Sequence, residues 1–282
     1  MKEKIIQFGA ENNMLGIVTE PESLAQIDVE KQPAILILNS GLVHKVGPYR
    51  MAVALARKLA AAGYLVFRFD LPNIGDSSAY QTRLSYRERT ISEISSAMDI
   101  IARRYHFNHF ISMGLCTGAM NSHVIATADP RVSAAVMLDA YAYPTLAYLV
   151  KRYASKLYKI FHPAIILRIL GKMFVREKYD GEEGVREGID YWEQPPKKQI
   201  AEELTNMMAR DVELLYIYSG GVMESYNYEN QFVDSFKNID FKNHLRVRHL
   251  EKMDHTYTLQ SDRDYMLSLI TDWVKEKFPT QD

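Results

Sequence analysis

The chain contains a single cysteine, Cys116, among 282 residues. One cysteine excludes an intramolecular disulfide and any metal site built from several thiolates. A lone cysteine is either a small buried apolar residue or a reactive thiol. Which of the two applies to Cys116 depends on the sequence that surrounds it.

Long apolar runs and a large net charge are lacking too. No run approaches the roughly 18 to 20 apolar residues of a transmembrane helix, and residues 1–8 have no apolar stretch typical of a signal peptide. We therefore expect a cytoplasmic protein without a transmembrane segment. The formal net charge is −1, which argues against a nucleic-acid partner. Glycine-rich phosphate loops and paired histidines at metal-ligand spacing are absent, so we expect neither a cofactor nor a metal.

Short apolar segments alternate with amphipathic helical patterns along most of the chain. The segments typical of strands buried on both faces are residues 34–38, 64–69, 110–113, 134–138 and 214–218. This alternation predicts an α/β fold with a mainly parallel central sheet and helices on both faces. Residues 245–250 alternate more strictly and are expected near a sheet edge, and residues 1–20 leave room for one or two antiparallel strands.

The alternation fails between residues 141 and 206, which are rich in tyrosine and mostly helical in pattern. We interpret this stretch as a helical lid inserted into a core formed by residues 1–140 and 207–282. Residues 151–178 within it are strongly basic. They form either a solvated helix face or a docking surface for something acidic, such as coenzyme A phosphates, an acyl carrier protein or anionic lipid.

Residues 114–118 read Gly-Leu-Cys-Thr-Gly, between a predicted buried strand and a helical pattern rich in small residues. Gly-x-Cys-x-Gly at a strand-to-helix junction is a nucleophile elbow with cysteine in the usual place of serine. The turn is so sharp that larger side chains at the glycine positions would collide with the neighbouring chain. The helix N-terminus also favours a thiolate and an oxyanion. The pattern predicts that Cys116 is a nucleophile.

With this elbow, the chain resembles the α/β-hydrolase superfamily over nearly its whole length. Residues 67–77, FRFDLPNIGDS, are similar to the superfamily's strand and loop that end in Gly-Asp-Ser, and residues 61–64 read Ala-Ala-Gly-Tyr, which is also typical. Within the superfamily, the chain looks most like small hydrolases of bacterial export or biosynthetic gene clusters. The resemblance implies the α/β-hydrolase fold and the chain order nucleophile, acid, histidine.

The resemblance places the histidine in the loop after the last core strand. His255 lies there, in the sequence MDHTY that precedes the final helical pattern. It would take the proton of Cys116 and later protonate the leaving group or activate water. His249 lies on the predicted strand itself and is a weaker candidate.

The acid departs from the superfamily's pattern, and the sequence leaves it open. Relatives often carry Gly-x-x-Asp after the strand that corresponds to residues 214–218, whereas this chain has Gly-x-x-Glu ending at Glu224. Glu224 is narrowly the first choice, Asp139 at the end of the preceding strand is nearly equal, and Asn227 would give a Cys-His-Asn arrangement. A thiol, with an ordinary pKa of about 8.5, also tolerates a weak or absent acid.

An oxyanion hole needs two backbone N–H groups directed at the developing negative charge. We expect one from Thr117, directly after the nucleophile. The other is expected from Leu42, in the loop after the strand at residues 34–38. Many relatives have His-Gly in this loop where the chain has Ser40-Gly41.

Together these residues predict acyl-group chemistry on a small-molecule substrate, through an acyl-thioester on Cys116. Hydrolysis of an ester or thioester is the first expectation. Acyl transfer to an amine or alcohol is the second, because a thioester intermediate favours an amine acceptor over water more than an oxygen ester does. The third is a non-catalytic small-molecule binding protein on the same fold, in which Cys116 is a remnant.

Overall fold

The computed structural model describes residues 1–160 and 194–280. Its strands are β1 (Lys2–Phe8), β2 (Met14–Glu20), β3 (Ala34–Ile37), β4 (Val66–Phe69), β5 (Phe110–Leu115), β6 (Val132–Leu138), β7 (Glu213–Ser219) and β8 (Leu245–Leu250). Its helices are α1 (Met51–Ala61), α2 (Tyr86–Tyr105), α3 (Thr117–Ala128), α4 (Leu146–Ile160), α5 (Lys197–Ala209), α6 (Gln231–Ser235) and α7 (Gln260–Lys277).

The strands form one eight-stranded sheet in the order β1-β2-β4-β3-β5-β6-β7-β8. β1 pairs with β2, and β2 with β4, in antiparallel register, while the remaining neighbours are parallel. The predicted apolar segments all fall on parallel strands of this sheet, and β8 lies at its edge as expected. Residues 1–20 supply the antiparallel pair. The predicted fold class is confirmed.

Helices cover both faces of the sheet, because each parallel crossover returns the chain over one face. On one face, α1 and α7 contribute buried side chains such as Leu59 and Ile270. On the other face, α2, α3 and α5 contribute Ile101, Ile125 and Leu204. The strands between them are buried on both sides, which explains their nearly continuous apolar sequences.

The stretch predicted as a lid is described only in part. α4 follows β6, and α5 leads into β7. The predicted boundary between residues 206 and 207 falls inside α5, which buries Ile200, Leu204 and Met207 in the core. Residues 161–193, and with them most of the basic stretch 151–178, lie outside the described residues, so the lid and its docking surface stay predictions.

The parallel strands all end at the same edge of the sheet. In an α/β fold this is the edge at which ligands bind, because the connecting loops converge there. The loops that follow β3, β5, β6, β7 and β8 therefore meet in one region. No helix among the described residues is both long and apolar enough to cross a membrane.

Candidate active site

Cys116 forms the turn between β5 and α3, with φ of 57° and ψ of −121°. Few residues other than glycine adopt such a positive φ, and it marks a strained backbone that the surrounding structure must stabilise. A Cβ atom added to Gly114 would lie 2.4 Å from the backbone of Gly118, and one added to Gly118 would lie 2.4 Å from the carbonyl oxygen of Asn39. The two glycines thus allow the turn to close and the loop after β3 to pack on it.

His255 meets Asp139 at this edge of the sheet. Its Nδ1 atom lies 2.7 Å from Oδ2 of Asp139, whose side chain is completely buried at the end of β6. Ser219, the last residue of β7, donates two hydrogen bonds to the same carboxylate: its backbone N–H to Oδ1 at 2.6 Å and its hydroxyl to Oδ2 at 2.7 Å. The carboxylate is therefore held in one orientation, which in turn orients the imidazole.

The His255 side chain also acts on the Cys116 thiol. Hydrogen bonding to His255 lowers the pKa of Cys116, although burial opposes the shift, and the backbone N–H of Thr117 lowers it further. The hydrogen bonds with Asp139 and then Cys116 raise the pKa of His255 to about 10. Both shifts favour a thiolate beside an imidazolium, the reactive state of a cysteine nucleophile.

The loop that carries His255 packs closely on the turn after β7. A Cβ atom on Gly220 would lie 1.9 Å from the carbonyl oxygen of Glu251, and one on Gly221 would lie 2.4 Å from the backbone nitrogen of His255. Asp254 closes the loop by accepting hydrogen bonds from the backbone and hydroxyl groups of Thr256 and Thr258. The Ser-Gly-Gly sequence at the end of β7 therefore helps to position Asp139 and His255.

The other residues that the sequence offers as the acid or the base, Glu224, Asn227 and His249, make different contacts. The side chain of Glu224 is exposed, and its carbonyl oxygen accepts hydrogen bonds from Tyr148 and Arg152. Asn227 donates to the carbonyl oxygen of Tyr148 at 3.1 Å. The ring of His249 packs edge-on against Tyr226, with 5.4 Å between ring centroids. The structure thus brings Cys116, His255 and Asp139 together, and places Glu224 and Asn227 outside this group.

The loop after β3 is joined directly to the elbow. The backbone N–H of Gly41 donates to the Thr117 hydroxyl oxygen at 2.5 Å. Gly41 is thereby engaged, while the N–H of Leu42 has no acceptor in the described part of the chain. Leu42 as a whole is 91% exposed. The sequence predicts a role for the backbone of Thr117 but not for its hydroxyl, whose only signal is that a hydroxyl residue directly follows Cys116.

Two buried polar side chains anchor the same loop at its ends. Asn39 donates to the carbonyl oxygen of Val43 at 3.0 Å and accepts from the N–H of Leu71 at 2.7 Å. The ammonium group of Lys45 lies 2.7 Å from a carboxylate oxygen of Asp70, and both side chains are almost fully buried. These bonds restrict the loop, so its amides are fixed relative to Cys116 before any substrate binds.

Within residues 1–160 and 194–280, no three histidine, cysteine or carboxylate side chains converge in a way that would bind a metal ion. The acidic and basic groups described above are instead paired with one another. The arrangement offers a nucleophile, a proton carrier and backbone amides, which are the components of acyl-group chemistry.

Neither a family model nor a curated protein sequence matches the chain. Solved structures do. An esterase from Pyrococcus furiosus is 13% identical, with 98% of this chain and 91% of that chain covered and a TM-score of 0.59. An α/β serine hydrolase without a lid, from Xanthomonas campestris, is 12% identical, with 100% and 97% covered and a TM-score of 0.57. Naproxen esterase from Bacillus subtilis is 15% identical, with 96% and 90% covered and a TM-score of 0.54.

These similarities define the class of structure: the chain has the α/β-hydrolase fold. At such low identities the likeness concerns the fold alone. A fold does not determine an activity, which depends on the residues of the site.

Proposed function

We propose that the chain is an enzyme that hydrolyses an ester or thioester through an acyl-thioester on Cys116. One observation supports this above all: buried Asp139 is hydrogen-bonded to His255, and His255 lowers the pKa of the Cys116 thiol at a strained strand-to-helix turn. A core cysteine with a purely structural role needs neither the strain nor the ionisable partner. The esterases of similar fold agree with this proposal.

In the first half of the proposed reaction, the Cys116 thiolate attacks the carbonyl carbon of the substrate and forms a C–S bond. The carbonyl oxygen becomes an oxyanion, which accepts hydrogen bonds from the N–H groups of Thr117 and Leu42. The tetrahedral intermediate then collapses and breaks the bond to the alcohol or thiol. His255 gives its Nε2 proton to this leaving group and becomes neutral, while Asp139 retains the hydrogen bond to Nδ1.

In the second half, neutral His255 removes a proton from water as the water attacks the acyl-thioester. The new tetrahedral intermediate expels the Cys116 thiolate and releases the carboxylic acid. The thiolate and the imidazolium are thereby restored. An amine or alcohol that replaced this water would give acyl transfer through the same intermediate, which is the alternative activity.

The direct test follows the acyl group. We expect the protein to hydrolyse members of a panel of p-nitrophenyl esters and acyl-coenzyme A thioesters, and acid-quenched protein to show a mass increase equal to one acyl group on Cys116. Product analysis with added amines or alcohols distinguishes hydrolysis from transfer. Absence of turnover and of any mass increase over the whole panel, together with tight binding of a panel compound, would instead identify a binding protein.

Alkylation of Cys116 by iodoacetamide should be half-maximal below the pH of about 8.5 expected for an ordinary thiol. The hydrogen bond from His255 lowers the pKa of Cys116, so the thiolate fraction rises at lower pH. Asp139→Asn should shift the profile to higher pH, because loss of the carboxylate lowers the pKa of His255 and leaves less positive charge beside the sulfur. Urea-denatured protein provides the reference. Identical profiles for the native and denatured protein would contradict the ion pair.

A further inference from the structure

A short turn carries the Leu42 amide that is proposed to stabilise the oxyanion. Ser40 and Val43 form an antiparallel bridge, in which the N–H of Val43 donates to the carbonyl oxygen of Ser40 at 2.9 Å. Gly41 adopts a φ of 56°, the left-handed conformation that glycine tolerates best. Residues 40–43 are therefore a tight β-turn, and the amides of its two central residues, Gly41 and Leu42, take no part in the hydrogen bond that closes it.

Little packing holds the centre of this turn in place. Leu42 and Gly41 are both exposed, and a Cβ atom added to Gly41 would meet no atom within 4 Å. At the base of the turn, the Asn39 side chain donates to the carbonyl oxygen of Val43 at 3.0 Å. Because the centre of the turn projects from the surface, its orientation relative to Cys116 depends on hydrogen bonds.

The Thr117 hydroxyl accepts the only hydrogen bond that the described residues form between the turn at residues 40–43 and the elbow at residues 114–118. The donor is the N–H of Gly41, at 2.5 Å. Gly41 directly precedes Leu42, so a bond that fixes the Gly41 amide also restricts the direction of the Leu42 amide. The backbone N–H of Thr117 is the other proposed oxyanion donor. One residue therefore supplies the first donor and restricts the position of the second.

We propose that Thr117 is a positioning residue, whose hydroxyl holds the Leu42 amide where the oxyanion forms beside the Cys116 sulfur. This role rests on the proposed function, which it extends to a side chain other than the nucleophile, the base and the acid. Displacement of one donor should act mainly on the transition state, in which the negative charge develops, and little on the binding of the substrate.

The first test compares variants with and without the hydroxyl. Thr117→Val keeps the backbone amide and the shape of the side chain but loses the acceptor. Thr117→Ala also loses it, in case valine is not accommodated, and Thr117→Ser retains it. Thr127→Val is the matched control, because it makes the same change on the same helix, where the hydroxyl donates to the carbonyl oxygen of His123 at 2.9 Å.

The measurement is steady-state hydrolysis of a p-nitrophenyl ester. We expect kcat to fall about tenfold or more in Thr117→Val and Thr117→Ala, with KM within about twofold of the wild type. Thr117→Ser should recover most of the lost kcat, and Thr127→Val should match the wild type. A kcat in Thr117→Ser as low as in Thr117→Val would assign the effect to the shape of the side chain and overturn the proposed role.

A second measurement does not require turnover. Butanal adds to the Cys116 thiolate: a C–S bond forms, the carbonyl double bond opens, and the oxygen takes a proton from the His255 imidazolium. This oxygen would occupy the position of the oxyanion, whereas alkylation by iodoacetamide displaces iodide and forms no oxyanion. Protection of Cys116 by butanal against iodoacetamide gives the Kd of butanal. The Kd should rise about tenfold in Thr117→Val but not in Thr117→Ser or Thr127→Val, while alkylation without butanal proceeds at the same rate in all of them.

The two measurements separate the positioning role from the proposed hydrolysis. Equal kcat and equal butanal affinity in Thr117→Val and Thr127→Val would overturn the positioning role even if esters are hydrolysed. A slower alkylation in Thr117→Val alone would also overturn it, because the loss would then lie in the reactivity of the sulfur. Weaker butanal binding in Thr117→Val alone, without ester turnover by the wild type, would retain the positioning role and reject the hydrolysis.

Discussion

Cys116→Ala is expected to lower kcat/KM for the best ester or thioester substrate by a factor on the order of 10⁴ to 10⁶, the loss typical of a missing nucleophile. Without the sulfur no acyl-enzyme forms. Only the backbone amides proposed to stabilise the oxyanion, and the contacts that bind the substrate, can still contribute to catalysis. The measurement is steady-state hydrolysis of an acyl-coenzyme A thioester by purified protein. Intact mass after acid quench should show no acyl group on the variant.

Cys116→Ser distinguishes the loss of a reactive sulfur from a disruption of the strand-to-helix turn. It preserves the shape of the side chain but replaces a thiol with a far less acidic hydroxyl, so activity should exceed that of Cys116→Ala and stay well below the wild type. Both variants should keep the thermal stability of the wild type within a few degrees. Full activity in Cys116→Ala, or an acyl group on another residue of the wild type, would contradict the proposed mechanism.

Asp139→Asn should lower kcat/KM by a factor of about 10² to 10³, less than the loss of about 10⁴ for the corresponding change in serine enzymes. The smaller factor follows from the acidity of a thiol, which depends less on the base. Glu224→Gln is the matched control, because it also neutralises a carboxylate, and the sequence offers that carboxylate as the alternative acid. Glu224 is exposed, and the carboxylate hydrogen-bonded to His255 is that of Asp139, so we expect unchanged kinetics.

The pH profile identifies the cause of the Asp139→Asn effect. In the wild type the alkaline limb of kcat/KM should lie near pH 10, where His255 loses its proton. Removal of the Asp139 charge lowers the pKa of His255, so this limb should move to lower pH. A structural loss of stability would reduce activity without moving the limb. A larger loss from Glu224→Gln than from Asp139→Asn would show that the acid has been assigned to the wrong residue.

The features that the sequence predicted depend on local patterns. Apolar runs define strands buried on both faces, and their alternation with helical patterns defines the parallel sheet. The elbow is equally local, because Gly114 and Gly118 are needed for a turn of five residues around Cys116. The strands and the turn can therefore be predicted from residues that are neighbours in the chain. His255 was predicted differently, from the resemblance to the α/β-hydrolase superfamily, which implies a histidine in the loop after the last strand.

Which carboxylate contacts His255 could be read only from the tertiary structure. Asp139 and His255 are 116 positions apart, and Ser219, which fixes the carboxylate, is 80 positions from Asp139. Glu224 and Asp139 both follow strand ends before the histidine, so spacing alone could not separate them. The decision rests on which strand end faces His255 and on which carboxylate is buried and hydrogen-bonded there.

The sequence by itself determined the α/β fold and the sharp turn with glycines on either side of Cys116, and its resemblance to the superfamily predicted a histidine after the last strand. Tertiary structure alone decided that Asp139 contacts His255 and that the Thr117 hydroxyl accepts a hydrogen bond from Gly41, 76 positions away. The physical reason is the same for both. Hydrogen bonds and packing between distant segments depend on how strand ends and helices meet in space, which no local pattern records.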